Sequence, residues 1–482
     1  IHDTAMIMRL LNYEVELAKA TELYLDKYYQ TEKVSDVLKK YNAHKMTDIP
    51  IEVTLTKAAR DSRGCLELFN KTYPLVDHNY YHTKMLSESM MIRMSRRGIA
   101  FDHELNLNIH NELRSEADNY KNYCLNNYHF NPLSPQQVIK AFNDINISVP
   151  FTHGKPDTSD EALQKITDPN GRLHDYSRNI LAARKFNKLD STYSSKLIPW
   201  SRVYTHFHLD ATTGRSTSSD PINIQNIPTG RRPGDIVPTV LRCSKHNNSF
   251  YLNDECKDCK SMRSIYLGDS GKLTCIDLSQ IELRVFAWLA QDFDLMAVLN
   301  DPTKDLHTYT QQLSGVQSRV QAKNCNFGGL FTGFSFASAG TVAKGANTTI
   351  ENVIKVFMFW RNTFPNSVKY CDYLKSTAQQ SYTVNTLYGR TLNIANSHGG
   401  MSTKHIDNCA INWPVQGSAF EVFERIMIAI SSIVDKSNFG WQVHDELVLD
   451  GYYILTNEQK DMLNHLSPLY TPFKIEHLDR WR

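Results

Sequence analysis

The chain has 482 residues, 41% hydrophobic and 22% charged, the balance of a globular protein with a substantial core and more than one structural unit. Its formal net charge is only +2, so a nucleic-acid partner must be held by local basic clusters and not by a general positive field. The longest apolar stretches, such as IMIAISSIV at 426–434, fall well short of the roughly 20 residues that span a bilayer, and no membrane partner is expected.

No signal-peptide pattern opens the chain, and the first residue is Ile1, which reads as the start of a fragment or processed product. The nine cysteines are an odd number and mostly scattered, which points to an intracellular, reducing compartment over a disulfide framework.

Residues 1–75 are mixed and charged, with MIMRLL and GCLELFNKTYPLV reading as amphipathic helices. Residues 76–200 read as mainly helical, interrupted by NPLSP at 131–135 and SVPFTHGKPDTSD at 148–160. Residues 200–275 are turn-rich, and GRSTSSDPINIQNIPTGRRPG carries too many Gly, Pro, Ser and Asn for regular structure. From about 275 to 435 a strand-like start leads into long helical segments. NFGWQVHDELVLDGYY then looks like a hairpin whose turn lies at or next to its carboxylates.

That hairpin poses a physical question. Trp441, Val443, Leu447 and Val448 suit a pleated, partly buried strand, yet His444, Asp445 and Glu446 interrupt it. Adjacent carboxylates repel, and burying one unpaired is costly. KLTCIDLSQIELRVFAWLA (272–290) has a similar form: a short apolar strand reaches Asp277 and turns into a segment bearing Glu282 and Arg284. Two strands that each end in an Asp can bring those carboxylates together around divalent ions, which clamp both oxygens of an in-line phosphoryl displacement. The plainer alternative is that each Asp caps a helix or occupies a turn. In SRVQAKNCNFGGLFTGFS (318–335), Arg319, Lys323 and Phe327 share one helix face. Two cations followed by a ring can hold a triphosphate and stack on a base, although such stripes are more often solvated faces.

Together these stretches resemble the family A DNA polymerases, the bacterial polymerase I and phage replicase group. DLSQIELR resembles motif A, RVQAKNCNFGGLF motif B and VHDE motif C; TGRSTSSDPINIQNIP, DLHTYT, YGRTL and INWPVQGSAF agree in order and rough spacing. The resemblance runs from about residue 76 to the end. It implies an α+β right-hand fold: thumb at 76–200, palm at 201–300 and 396–482, and helical fingers at 301–395. It implies template-directed addition of deoxynucleotides to a primer 3′-OH, with primer–template DNA and dNTPs as partners, possible replication accessory proteins, and a monomer on DNA. Asp277 and Asp445 would hold two Mg²⁺ ions, with Glu446 in support. Arg319, Lys323 and His307 would contact the triphosphate, Lys323 acting catalytically, while Phe327, Phe331 and Gln280 line the nucleotide site. Glu282 looks like the steric gate against a ribose 2′-OH. Arg215, Asn226, Asn412, Gln416 and His444 would meet primer–template, and Arg184 and Lys188, in LAARKFNKLDSTY, the duplex backbone.

The chain also departs from the family pattern. Phe331 stands where tyrosine is usual, Asn408 replaces a common arginine, and DPINIQNIP carries one residue more than the usual loop before Gln225. Phe327, where some phage relatives have tyrosine, implies discrimination against dideoxynucleotides. Residues 1–75 resemble the last part of a 3′–5′ exonuclease domain, with Asp61 matching its final acidic residue but Lys57 standing where a tyrosine is expected. No proofreading by these 482 residues is expected. An insertion at 240–262 places Cys243-x₂-His246 before Cys256-x₂-Cys259, a spacing that suits one structural Zn²⁺; a flexible loop with incidental cysteines is the alternative. Two other functions compete with the polymerase: a silent DNA-binding replication scaffold, and another template-dependent polymerase such as a reverse transcriptase or single-subunit RNA polymerase. The complete set of carboxylates and cations speaks against the first, and Glu282 with His-Asp-Glu against RNA synthesis.

Overall fold

The computed structural model describes residues 2–152, 154–228, 261–396 and 401–482. At its centre lies an antiparallel sheet of four strands, Leu273–Leu278, Phe439–Val443, Glu446–Asp450 and Phe473–Leu478. The C-terminal hairpin forms one side of the sheet, the mid-chain Leu273–Leu278 strand pairs next to it, and Phe473–Leu478 closes the far edge. Trp441, Val443, Leu447, Val448 and Leu449 are buried, as expected for β-branched, aliphatic and aromatic residues that fit a pleated surface. The edge strand instead exposes Lys474, Glu476 and His477, polar groups that discourage pairing with another chain.

Helix His78–Arg97 packs on the Phe439–Val443 strand and on the long helix Thr403–Ile430. Between those two helices, the fully buried Glu424 is ion-paired with the almost fully buried Lys84, and Tyr80 donates to the neighbouring Glu421. Helices His103–Tyr128 and Asp175–Leu189 pack along each other; near them Phe130, Val138, Phe142 and Ile180 form a smaller separate core. The helices Leu306–Ser314, Arg319–Thr332, Ala339–Ala346, Ile350–Thr363 and Pro365–Ser381 make a further helical unit. Phe334 stacks on Trp360 there at 4.5 Å between ring centroids.

The expected interruptions at 131–135 and 148–160 are present. The turn-rich stretch is more regular than its composition suggests: Thr217–Pro221 pairs antiparallel with Thr205–His208. Its serines provide the reason. Ser218 is buried, donates to Asn223 Oδ1 at 2.8 Å and accepts from the Gln225 N–H at 3.3 Å, so side-chain hydroxyls satisfy the polar groups the short hairpin leaves over. No helix among the described residues is long and apolar enough to cross a membrane.

Candidate active site

Strand register assembles the acidic corner. Asp277 lies directly across from Glu446, and Val443 pairs with Glu446 around the two-residue turn His444–Asp445. His444 takes a φ of 55° in that turn, and the Leu278 N–H donates to the Asp445 carbonyl at 3.1 Å. Three carboxylates thus meet where two strands end, and their surroundings differ. Glu446 turns toward the protein: its Oε2 accepts from Trp481 Nε1 at 3.2 Å and lies 3.8 Å from Arg263 Nη1. Arg263 in turn sits over the Trp481 ring at 4.2 Å.

Asp277 stands at the exposed end of its strand. Enclosure by the surrounding protein, then repulsion from Asp445 and Glu446, push its carboxyl up to about 7. Burial also raises Asp445 and Glu446 above the usual carboxylate range; His444, Arg215 and Lys323 oppose this at Asp445, as Trp481 and Arg263 do at Glu446. Sequence reading missed Arg263 and Trp481. Neither stands in a stretch that separates it from an ordinary surface cation or core ring.

A cleft of about 690 Å³ opens beside the corner and brings together Arg215, Gln280, Glu282, Phe327, Phe331, His444 and Asp445. Gln280 holds a left-handed conformation (φ 54°) between the Asp277 strand and helix Ile281–Leu289, which places Glu282 in the first turn of that helix, at the cleft wall. Arg215 is ion-paired with Glu282. Beneath them lies a polar network that sequence reading missed: Ser216 Oγ donates to Gln442 Oε1 at 2.6 Å, and Gln225 Nε2 donates to the same oxygen at 2.8 Å. Gln442 is fully buried; an amide inside an otherwise apolar strand is the signal that could have revealed it.

The helix Arg319–Thr332 begins at Ser318, whose side chain accepts from the Gln321 N–H, and ends at Gly333 (φ 65°), a residue without the Cβ penalty of that conformation. Phe327 and Phe331 sit 6.1 Å apart on its cleft side. Lys323 is exposed. Arg319 is already engaged, its Nε and Nη2 donating to the two oxygens of Asp305 at 2.9 and 2.6 Å. That pairing, with the Thr308 N–H at 2.7 Å, holds Asp305 well below the usual carboxylate range. His307 is buried and pushed down to about 4, so it is neutral at pH 7. Its tautomer follows from its neighbours. Trp360 Nε1 can only donate, and it donates to Asn326 Oδ1 at 2.8 Å. The Asn326 amide nitrogen therefore faces His307 Nδ1 at 3.1 Å, which leaves the imidazole proton on Nε2.

Other expected site residues stand apart from this cleft. Arg184 donates through Nε to the Pro132 carbonyl at 2.9 Å and through Nη1 to Thr158. Its guanidinium ties two loops of its own helical unit together; Lys188, one turn on, is exposed. Asn226 is exposed and its carbonyl accepts from Tyr193 Oη at 2.8 Å. Asn412 donates to Asn408 O at 2.8 Å and to Phe331 O at 3.5 Å, while its Oδ1 is buried without a partner. Gln416 lies one turn further along the same helix, half-buried. Near the start of the chain, Lys57 Nζ lies 2.9 Å from both oxygens of Asp61. The four expected zinc ligands Cys243, His246, Cys256 and Cys259 lie outside the described residues. Among the described residues no three His, Cys, Asp or Glu side chains form a cage for a metal ion, and the six described cysteines are free thiols.

An antiparallel sheet with acidic strand ends, flanked by a helical unit that presents cations and rings across a cleft, is the right-hand polymerase architecture. The chain belongs to DNA polymerase family A: the family model matches residues 90–466. It is 29% identical over 357 residues to DNA polymerase I of Pseudomonas aeruginosa, covering 68% of this chain and 35% of that protein. It is 26% identical over 485 residues to DNA polymerase I of Borreliella burgdorferi, covering 94% of this chain and 49% of that one. The chain thus spans about a third to a half of the length of these curated relatives. The POL domain of Pol1 from M. smegmatis, solved in complex with DNA primer-template and dNTP, shares the fold with a TM-score of 0.75 at 20% identity, covering 98% of this chain and 80% of that one.

Proposed function

We propose that this chain is a template-directed DNA polymerase that adds deoxynucleotides to a primer 3′-OH, acting as a monomer in replication or repair. The observation that carries the reading is the register of Asp277 against Glu446, with Asp445 in the turn between the hairpin strands. The donor set fits Mg²⁺. Asp277 and Asp445 gather negative charge that the protein offsets only in part, and Mg²⁺ is commonly held by one or two carboxylates plus substrate phosphates, not by an all-protein cage. Two bound ions would supply Lewis-acid stabilisation of the attacking and leaving oxygens.

The remaining roles belong to the chain's own side chains. Lys323 and Arg319 offer cations to a triphosphate, Arg319 on exchanging Asp305 for phosphate, and neutral His307 offers its Nε2–H. Phe327 and Phe331 give an apolar wall for the base, while Gln280 and Glu282 border the sugar. Glu446, held by Trp481 and Arg263, fixes the strand end beneath the acids. Arg215, Asn226, Asn412, Gln416, His444, Arg184 and Lys188 are the proposed primer–template contacts, Arg184 on exchanging its loop carbonyls for phosphate. The proposed units are a 3′–5′ exonuclease-like remnant at 1–75, thumb at 76–200, palm at 201–300 and 396–482, and fingers at 301–395. In the first of these units Lys57 supplies Asp61 with a counter-ion. Zinc in the 240–262 insertion rests on ligand spacing alone, and metal analysis of the purified chain tests it.

Extension of a labelled primer–template with Mg²⁺ and dNTPs, beside an Asp445→Ala variant, tests the reading. Extension that is lost in the variant is the expected result. Tight DNA binding without extension by the unaltered chain would instead favour a silent scaffold.

A further inference from the structure

Glu282 stands at the cleft wall beside Phe327 and Phe331, rings with no hydrogen-bond donor. Its one ion-pair partner among the described residues is Arg215, and the two side chains are both half-buried. Arg215 is itself fixed from below. Its neighbour Ser216 is buried and joined to Gln442 and Gln225, so the segment that carries the guanidinium is anchored to the strand leading into His444 and Asp445. A carboxylate at the start of a helix has several rotamers open to it, and a planar guanidinium in a fixed frame selects one. A wall that excludes a single hydroxyl works only while its position is held, because a looser one admits the larger sugar.

We infer that Arg215 is a positioning residue for sugar selection: it holds the Glu282 carboxylate where that group excludes a ribose 2′-OH. The inference rests on the polymerase reading. It assigns to Arg215 a task separate from any contact with DNA. Discrimination between deoxy- and ribonucleotides is set jointly by the pair, not by Glu282 alone.

The test is single-nucleotide incorporation on a primer–template with dNTP and with the matching rNTP, giving kcat/KM for each sugar. The variants are Arg215→Lys, Arg215→Gln, Glu282→Asp, Glu282→Ala and the Arg215→Lys/Glu282→Ala double. A purely structural or DNA-binding defect lowers both sugars alike and leaves their ratio unchanged. The expected result is a fall of about tenfold or more in the dNTP/rNTP ratio for Arg215→Lys, the step that a lost charge-assisted contact gives. Glu282→Asp, which leaves Arg215 intact but shortens the carboxylate arm, should fall likewise. The double variant should show no loss beyond that of Glu282→Ala, as two residues acting through one interaction require. An unchanged ratio in Arg215→Lys and Arg215→Gln, or full additivity in the double, overturns the inference while leaving the polymerase reading intact. Failure of the unaltered chain to extend with either sugar overturns the polymerase reading itself, and the inference with it.

Discussion

Replacing Asp277 by asparagine should stabilise the metal-free protein, and the gain should grow with pH. The native carboxyl is pushed up to about 7 by its enclosure and by Asp445 and Glu446, whereas in the unfolded chain it ionises near 4. The native state therefore binds the extra proton between those values. The associated stability is fully present below about pH 4 and is lost as pH rises through about 7. A span of about three pH units corresponds to roughly 4 kcal/mol at 1.36 kcal/mol per unit. Asp277 lies at an exposed strand end, where solvent screens much of that repulsion, so about 1–2 kcal/mol is the realistic size. Asp277→Asn should recover about that much at pH 8 and only about a third of it at pH 5. Urea unfolding in EDTA at both pH values measures it, and added Mg²⁺ at pH 8 should raise the unaltered protein more than the variant. A gain of equal size at both pH values, or a loss at pH 8, would refute the account of clustered carboxylates repelling one another.

Lys84→Met should cost about 3–5 kcal/mol, because it strands the fully buried Glu424 without its cation; thermal melting should show it, and Glu424→Gln in the same chain should recover part. Asp305→Asn keeps an acceptor for the Thr308 N–H but releases Arg319. The KM for dNTP should then fall, more at low than at high salt, and a KM that is unchanged at low salt counts against Arg319 as a triphosphate contact. Phe327 lines the cleft, and with the base-wall role proposed for it incorporation of dideoxynucleotides should lag that of deoxynucleotides in a direct competition assay; equal use would contradict that proposal.

Much of the central sheet and its acidic corner was legible in the sequence, because apolar alternation broken by Asp277 and by His444–Glu446 is a conflict that few folds resolve. The helix carrying Arg319, Lys323 and Phe327 was legible for a similar reason: one stripe combines cations with rings at helical spacing. What stayed hidden depends on long-range partners. Nothing in the segment around Arg184 says that its guanidinium is spent on the Pro132 and Thr158 carbonyls. Nor does the sequence show that Arg319 already holds Asp305, or that Trp481 Nε1 steadies Glu446 across the molecule. The strand at Thr217–Pro221 escaped because hydroxyl and amide side chains there supply hydrogen bonds that composition reads as turn.

The order of the sheet also dictates a schedule for biogenesis. Leu273–Leu278 pairs on both sides with strands that lie far downstream of it, and Lys84 waits for a partner 340 residues downstream. At roughly 5–20 residues per second, a nascent chain emerging from the ribosome carries the Asp277 strand unpaired for many seconds. Its apolar run LTCI is exposed for that interval to any other unpaired edge. The helical units can fold as they appear, but the acidic corner is complete only once Trp481 has been made and reaches Glu446. Products stalled before the hairpin at 439–450 should therefore be aggregation-prone, and a chaperone that shields extended apolar segments would be most useful to this protein during that interval.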